Sequence, residues 1–504
     1  MKREIDFVSQ NPVLESRDGI GVYGNYINGE WVAASTGKTS ENRSPSNPDE
    51  LIGHFAASGS ADVDAAVGAA ETAFRGWAET SAIARANILY KASEILASRI
   101  PEVGRDLARE EGKTLKEGIG ETTRAVAILR YFAGEVQQPV GEHYSSANPS
   151  TLLFTLREPL GVCGIITPWN FPIAIPAWKA VPAIAFGNTV VMKPASLTPL
   201  STVHLTQALA EAGLPPGVLN LVTGDGGAVG DPLVADDRVV AVSFTGSDTV
   251  GNALKKVASD RGAKVQLELG GKNPAIVLAD ADLDHAVSQV IAGAMMSSGQ
   301  KCTATSRAIV DRKVADELAE RLSSRVAALT VGDPLDDATQ IGPVISKGAA
   351  DRLIEEIGAA RDGGTKLAAG GGRPENLNGH FVSPTLFLDV DPESRLGQVE
   401  LFGPVLGVIP VDGVDEAIAV ANKVRYGLSA SLFTRDISKA LSFIQKIQAG
   451  IVHVNSETAG AEPHVPFGGY KGSSSYSREQ GKASREFYTQ VKTVYFDPPP
   501  SSGD

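Results

Sequence analysis

Between residues 61 and 136 apolar residues recur at helical spacing. SADVDAAVGAAETAFRGW opens on a Ser/Asp cap and continues as an Ala-rich amphipathic run. Two more helices are predicted over 81–99 and 118–135, and Pro101 closes off the former from the next segment. The segment before Tyr26 reads as irregular, and YINGEWVAA at 26–34 as a hairpin turning on Asn-Gly. From 160 to 280 the pattern changes to short apolar runs alternating with helical segments. GVCGIITP, NTVVMKP, VLNLVTG, AVSFTGS, QLELGG and PAIVLA are predicted strands; 175–186, 201–212 and 248–259 are predicted helices. Apolar strands separated by helices imply a parallel sheet covered on both faces, a doubly wound α/β unit. A second α/β unit comes next, with helices over 282–298 and 313–329 and strands SRAIVDR, GLSASLFT and AGIVHVN. FYTQVKTVYF alternates and reads as a strand separate from both sheets, needing a partner such as another subunit. The end, DPPPSSGD, reads as a loose tail.

The 504 residues suffice for several cores without disulfides or metals. A net charge of −13 argues against nucleic acid as the main partner. Only Cys163 and Cys302 are present, so no disulfide framework is expected and a reducing compartment, the cytoplasm, is favoured. The start, MKREIDFVSQNP, has no apolar signal region. Pro159 to Trp178 carries no charge, but its four prolines suit a buried strand and then a loop rather than a membrane span. The seven histidines show no paired ligand spacing, so no metal is expected.

Cys302 stands in SSGQKCTATSR, whose small polar flanks are poor core material, and Lys301 beside it would favour a thiolate. Cys163, inside GVCGII, reads as core. Glu268 in VQLELGGKNP falls at a predicted strand end, where α/β folds place ligands; it reads either as an exposed carboxylate or as a general base. Asn170 in TPWNFP is either a turn amide or an oxyanion donor held between aromatics. FTGSDTVG, with Gly246, Ser247 and Gly251, joins a strand to a helix and can seat a pyrophosphate, although no GxGxxG comes after the first strand. Lys193, closing VVM, is placed for a ribose or phosphate.

TPWNFP, VMKPASLTP, FTGS, LELGGKNP, GQKC, ELFGPV and PFGGYKGS occur in this order from about residue 25 to 496. Together they resemble the NAD(P)-dependent aldehyde dehydrogenase superfamily. The resemblance implies a Rossmann-like cofactor domain (1–138 and 160–271), an α/β catalytic domain (272–480) and a small β oligomerisation arm with a tail (139–159 and 481–504). The arm would explain the orphan strand through a homodimer or homotetramer. The resemblance makes Cys302 the nucleophile and Glu268 the base. It makes Asn170, with the Cys302 N–H, the oxyanion hole, and Glu479 in SREQG a proton relay. Lys193 and Glu400 would hold the two riboses, Phe402 would pack by the nicotinamide ribose, Gly246 and Ser247 would lie by the pyrophosphate and Gly226 by the adenine. Ile166, Thr167, Trp169, Ser196 and Leu269 would complete the cofactor site. Relatives that pass the acyl group to coenzyme A generally lack the carboxylate at Glu268, so hydrolysis to the acid is expected.

NAD-preferring relatives often carry Glu where this chain has Ser196. Ser tolerates a 2′-phosphate that Lys193 could pair, so NADP is favoured, with NAD possible. For the substrate, Arg124 stands where relatives line the tunnel with an apolar residue, beside Phe171, Trp178 and Phe467. There it would meet a substrate carboxylate; otherwise it is an exposed helix residue paired with Glu121 or nearby acids. Succinate-semialdehyde enzymes typically carry Arg at Trp178. The chain looks most like enzymes that oxidise 2-oxoglutarate semialdehyde (2,5-dioxopentanoate) to 2-oxoglutarate. The alternatives are a broad aliphatic or aromatic aldehyde dehydrogenase, or a succinate-semialdehyde one. Outside that class stand a cofactor-independent thioesterase or esterase and a non-catalytic structural protein. Lys193 and Glu400 count against the former, and the intact Cys302, Glu268 and Asn170 against the latter.

Overall fold

The computed structural model describes residues 11–138 and 141–499. Five parallel strands form the heart of the first large sheet: β9 (Val162–Ile166), β10 (Thr189–Lys193), β11 (Leu219–Leu221), β12 (Val239–Thr245) and β13 (Lys264–Glu268). The hairpin β3 (Asn25–Ile27) and β4 (Glu30–Val32) adds an antiparallel edge, giving the order β13-β12-β9-β10-β11-β3-β4. Its turn is the expected Asn28-Gly29, both at positive φ (50° and 87°).

β9 and β10 are buried throughout because both faces are covered. Cys163, Ile165, Val190 and Met192 point into one core with helices α2 (Ala82–Ser98), α4 (Leu115–Glu135), α5 (Ala174–Ala185) and α6 (Pro199–Glu211). Val162, Ile166 and Val191 point into another with α1 (Ser60–Ala78), α7 (Asp231–Ala235) and α8 (Asp248–Asp260). Period-two alternation thus feeds two layers from strands that are apolar at every position.

Pro101 marks the expected break, since α2 ends at Ser98. It sits in the first turn of an additional helix, α3 (Ile100–Glu111), where a missing N–H costs nothing. The segment before Tyr26 is not irregular where described. β1 (Val13–Arg17) and β2 (Ile20–Tyr23) join β5 (Thr39–Arg43) and β6 (Leu51–Ala56) in a four-stranded sheet.

The second large sheet takes β14 (Asn273–Val277), β15 (Thr305–Asp311), β16 (Lys366–Ala369), β17 (Thr385–Leu388), β18 (Val405–Val411), β20 (Ser429–Phe433) and β21 (Ile451–Val454) in the order β16-β17-β18-β15-β14-β20-β21. PAIVLA, as β14, therefore belongs here and does not extend the first sheet. Helix α9 (Leu283–Met295) packs on one face. A small bridge pairs β19 (Tyr426–Gly427) with β22 (Tyr470–Lys471).

The terminal strand β23 (Thr489–Phe496) pairs residue for residue with β8 (Leu152–Pro159), which pairs in turn with β7 (His143–Tyr144). Its partner is thus within the same chain, and Phe487 and Tyr488 before it are helical. Of the tail, residues 497–499 are exposed; 500–504 lie outside the described residues. No helix among the described residues is long and apolar enough to cross a membrane.

Candidate active site

Ile166, Lys193, Thr245 and Glu268 end four adjacent parallel strands. Register places Ile166 beside Lys193 and Phe244, and Thr245 beside Glu268. This is the edge at which α/β sheets gather ligands. TPWNFP leaves it across the junction of the two sheets. The Thr167 N–H donates to the Lys193 carbonyl at 3.1 Å, while the Trp169 ring meets Phe402 edge-on at 5.4 Å and rests on the second sheet's core. Asn170 Nδ2 donates to the Gln300 carbonyl at 2.9 Å, which leaves its second N–H available.

Cys302 comes after α9 through a turn of three left-handed residues, Ser297 (φ 54°), Ser298 (52°) and Gly299 (68°). For each serine this conformation costs about 1 kcal/mol or more, so the surroundings must hold it. Glu117 does so, accepting from the Ser297 N–H at 2.7 Å and its hydroxyl at 3.1 Å. Asn273, at the start of β14, donates to the carbonyls of Cys302 (2.8 Å) and Ala304 (2.9 Å). Gly271 permits this approach, since a Cβ there would stand 2.5 Å from the Cys302 carbonyl oxygen.

A cavity of about 380 Å³ opens at Cys302, with Arg124, Phe171, Trp178 and Phe467 in its wall beside Ala459–Ala461. The expectation that Lys301 yields a thiolate is not met. Its ammonium donates to the Ala292 carbonyl and lies 3.7 Å from Glu457. Burial, then the Glu400 and Glu268 carboxylates, push the Cys302 thiol well up. Cys163 is core as expected, its thiol pushed up to about 12 by burial.

Glu268 is buried and does not line the cavity. Its Oε2 accepts from the Ser474 hydroxyl at 2.6 Å, and its Oε1 has no partner. Burial and then Glu479 raise its pKa well above the carboxylate range, against Ser474, Lys179 and Arg478. Glu479 is fully engaged with Lys179 in a buried ion pair, the Trp178 indole N–H (2.8 Å) and the Ser243 hydroxyl (3.3 Å). Lys179 escaped the sequence reading. The signal for it was a single charge inside the apolar helix AIPAWKAVPAIA, which must be paired to be buried. Asn273 and Ser474 lay inside or beside quoted motifs without being singled out, Lys113 and Glu117 fell outside the predicted helices, and Glu121 was read only as a possible partner of Arg124.

Arg124 is half-buried on α4 and donates to the Ala461 carbonyl. Glu121 does not pair with it. That carboxylate binds Lys113 at 2.7 Å and accepts the N–H groups of Ile173 and Ala174, each at 3.1 Å.

The remaining expected residues form a cradle around the first sheet's C-terminal edge. Ser247 caps α8 without a side-chain bond of its own, and Gly246 donates to the Glu268 carbonyl at 3.1 Å. Gly226 opens a turn where a Cβ would meet nothing within 4 Å. The Leu269 N–H is held by the Ser473 carbonyl at 2.7 Å. Glu400 accepts from the Gly271 N–H at 2.9 Å, and burial raises its pKa to about 7. Phe402 sits at φ 59°. Lys193 donates to the Pro194 carbonyl at 3.0 Å, and burial lowers its pKa to about 8. The Ser196 hydroxyl donates to the Gly224 carbonyl at 2.8 Å. A dinucleotide fits this set: a helix N-terminus for phosphate, an open glycine turn, and Thr167, whose buried hydroxyl lacks a partner.

A dinucleotide-type cradle beside a cysteine-bearing cavity is the arrangement of a nicotinamide-linked oxidoreductase. The chain belongs to the aldehyde dehydrogenase family, whose model matches residues 31–494. It is 46% identical over 479 residues to an alpha-ketoglutaric semialdehyde dehydrogenase of Bacillus subtilis (94% of this chain, 98% of the relative). It is 47% identical over 475 residues to an alpha-ketoglutarate semialdehyde dehydrogenase of Haloferax volcanii, with the same coverage. A solved NAD-dependent aldehyde dehydrogenase from Sinorhizobium meliloti superposes with a TM-score of 0.93 at 36% identity, covering 96% of this chain and 97% of that one. The protein is thus an NAD(P)-dependent aldehyde oxidoreductase of mixed α/β fold.

Proposed function

We propose that the enzyme oxidises 2-oxoglutarate semialdehyde to 2-oxoglutarate. The observation that carries this reading is Arg124, a half-buried guanidinium in the wall of the Cys302 cavity whose hydrogen-bond partner is a carbonyl rather than a carboxylate. The substrate named for the two relatives has a carboxylate to offer it. Succinate semialdehyde is disfavoured, because Trp178 carries no charge and its N–H is taken by Glu479.

In this reading the Cys302 sulfur attacks the aldehyde carbon as thiolate, which requires loss of a proton that the desolvated thiol holds tightly. Asn170 and the Cys302 N–H receive the oxyanion. NAD(P), when bound, supplies the hydride acceptor that turns the thiol adduct into a thioester. Glu268 takes a proton from the water that releases the acid. To do so it must leave Ser474 and turn toward the cavity it does not now line. Glu479, with Lys179 beside it, lies close enough to bias the proton affinity of Glu268.

NADP is the favoured cofactor, with NAD accepted. Ser196 puts no negative charge beside the adenosine ribose, and Lys193 offers an ammonium for a 2′-phosphate. Assembly as a homodimer or homotetramer is supported by β23, an edge strand that exposes Val491, Tyr495 and Phe496. Light scattering on the purified protein tests this; a monomer refutes it.

The deciding experiment measures reduced nicotinamide formation with 2-oxoglutarate semialdehyde, succinate semialdehyde, hexanal and benzaldehyde, each with NAD and NADP. A kcat/KM preference for the oxo acid is expected. Equal rates across the panel would make this a general aldehyde dehydrogenase.

A further inference from the structure

A short stretch between α3 and α4 touches both halves of the site. Lys113 is buried, and its ammonium donates to Glu121 Oε2 and to the carbonyl of Asn170 itself, each at 2.7 Å. It also stands 4.1 Å over the Phe171 ring. Glu121 Oε1 accepts from Ile173 and Ala174, where the Asn170 loop turns into α5. One turn earlier on α4, Glu117 caps Thr114 through Oε2 and holds the left-handed Ser297 through Oε1. Asn170 Nδ2 closes the circuit on Gln300, just before Cys302.

We propose that Lys113 and Glu121, with Glu117, are positioning residues that hold the Asn170 amide and the Cys302 loop in one reactive geometry. The inference rests on Asn170 being the oxyanion donor. The TPWNFP loop leaves a strand of the first sheet, and Cys302 precedes a strand of the second, so neither sheet alone sets the distance between them. The stretch from Lys113 to Glu121 is bonded to both. Stability gives little reason to bury this ion pair, since apolar residues of similar volume often do as well. What it supplies is direction, because one ammonium and one carboxylate spend their remaining bonds on the loop that carries Asn170.

The test is a double-mutant cycle on the full-length enzyme. Lys113→Met and Glu121→Gln are measured in the wild-type and Asn170→Ala backgrounds. Glu121→Gln keeps an acceptor for the two amide groups while ending the Lys113–Glu121 charge pair; Glu111, 3.9 Å from the ammonium, still keeps it charged. Each is expected to lower kcat/KM about tenfold or more for carboxylated and neutral aldehydes alike, because a misplacement of about 1 Å is worth as much as a hundredfold. Affinity for NAD(P) should be unchanged. In the Asn170→Ala background each should cost less than about twofold, because the group they position is gone. A purely structural role would give the same factor in both backgrounds, and that result overturns the proposal. If Lys113→Met fails to fold, the Glu121→Gln cycle decides alone. Wild-type kcat/KM in Asn170→Ala would instead overturn the oxyanion reading beneath it.

Discussion

Replacing Arg124 by Met removes a cation from the cavity wall while keeping an unbranched apolar stem. On the proposed reading the wild-type guanidinium meets a substrate carboxylate as a charge-assisted hydrogen bond, worth about 1.5–3 kcal/mol. It competes with the bond already made to the Ala461 carbonyl, worth roughly 1 kcal/mol. The net loss on mutation is about 1.25 kcal/mol, or roughly eightfold in kcat/KM at about 1.4 kcal/mol per decade. Pentanal, with the same chain length and no carboxylate, should lose nothing and rise by less than about threefold, since it no longer leaves the charge unmatched. Initial rates for both substrates on both proteins give a ratio of ratios in which stability, cofactor affinity and active fraction cancel. Arg124→Lys should recover part of the loss but not all, because an ammonium lacks the planar fork. Equal losses on acid and neutral aldehyde, or a loss on the acid below threefold, would refute the reasoning and leave Arg124 as a brace for the Ala461 loop.

Cys302→Ser should abolish dehydrogenase turnover, and full activity would displace Cys302 as nucleophile. Its thiol is held up by burial and two carboxylates, so the thiolate fraction is small at neutral pH. Alkylation of the free enzyme by iodoacetamide should therefore climb about tenfold per pH unit through about pH 9, and a plateau near neutrality would contradict the electrostatics. Glu268→Gln should give a burst of reduced cofactor equal to the sites and then slow release; unchanged steady-state turnover would remove it from deacylation. Burial brings Lys193 down to about 8, so its positive charge is present below that pH and lost above it. Affinity for NADP relative to NAD should then fall as pH rises through 8, and a constant ratio would detach Lys193 from the 2′-phosphate. Glu479 raises the pKa of Glu268 and Lys179 lowers it. The acidic limb of kcat should accordingly move down in Glu479→Gln and up in Lys179→Met, and movement in one direction for both would exclude this coupling.

The large elements are legible in the sequence because their residues answer to local rules. β9 and β10 are apolar at every position, which marks strands covered on both faces, and the motif residues fall at their ends. The misreadings have equally local causes. Pro101 correctly marks the break after α2, but the helix it opens, α3, goes unread, because a proline in a first turn looks like one that only ends a helix. Adjacency in sequence predicts that Lys301 lowers the Cys302 pKa. Its side chain turns instead to Ala292 and Glu457, and the charges that act on the thiol come from the end of β13 (Glu268) and from the loop before β18 (Glu400). Lys113 and Glu121 are eight residues apart, one in the loop before α4 and the other on that helix. No local pattern states that this pair is buried or that its remaining bonds reach the loop carrying Asn170. β23 looks orphaned in the sequence because its partner β8 lies near the other side of both α/β units, a separation invisible to periodicity.

Beside Cys302, the aldehyde cavity is lined by three cations and three carboxylates, so the wall is formally neutral. The balance is not uniform. Lys113 is taken by Glu121, Lys301 faces Glu457, and Glu117 is spent on Ser297. Of the three lining cations, Arg124 is the one that has a backbone carbonyl and, among the described residues, no carboxylate within ion-pair distance, while burial dominates its environment. A guanidinium in that state has lost hydration without gaining full compensation. A neutral aldehyde that fills the cavity excludes more water and deepens that deficit, whereas a carboxylated one relieves it. Selectivity therefore has two sources here. One is the bond gained with the right substrate, and the other is the cost of leaving the charge unmatched with the wrong one. The aromatic wall of Phe171, Trp178 and Phe467 would by itself admit almost any apolar aldehyde of suitable size. On the proposed reading a single under-compensated arginine would turn that permissive surface into one that favours a semialdehyde acid.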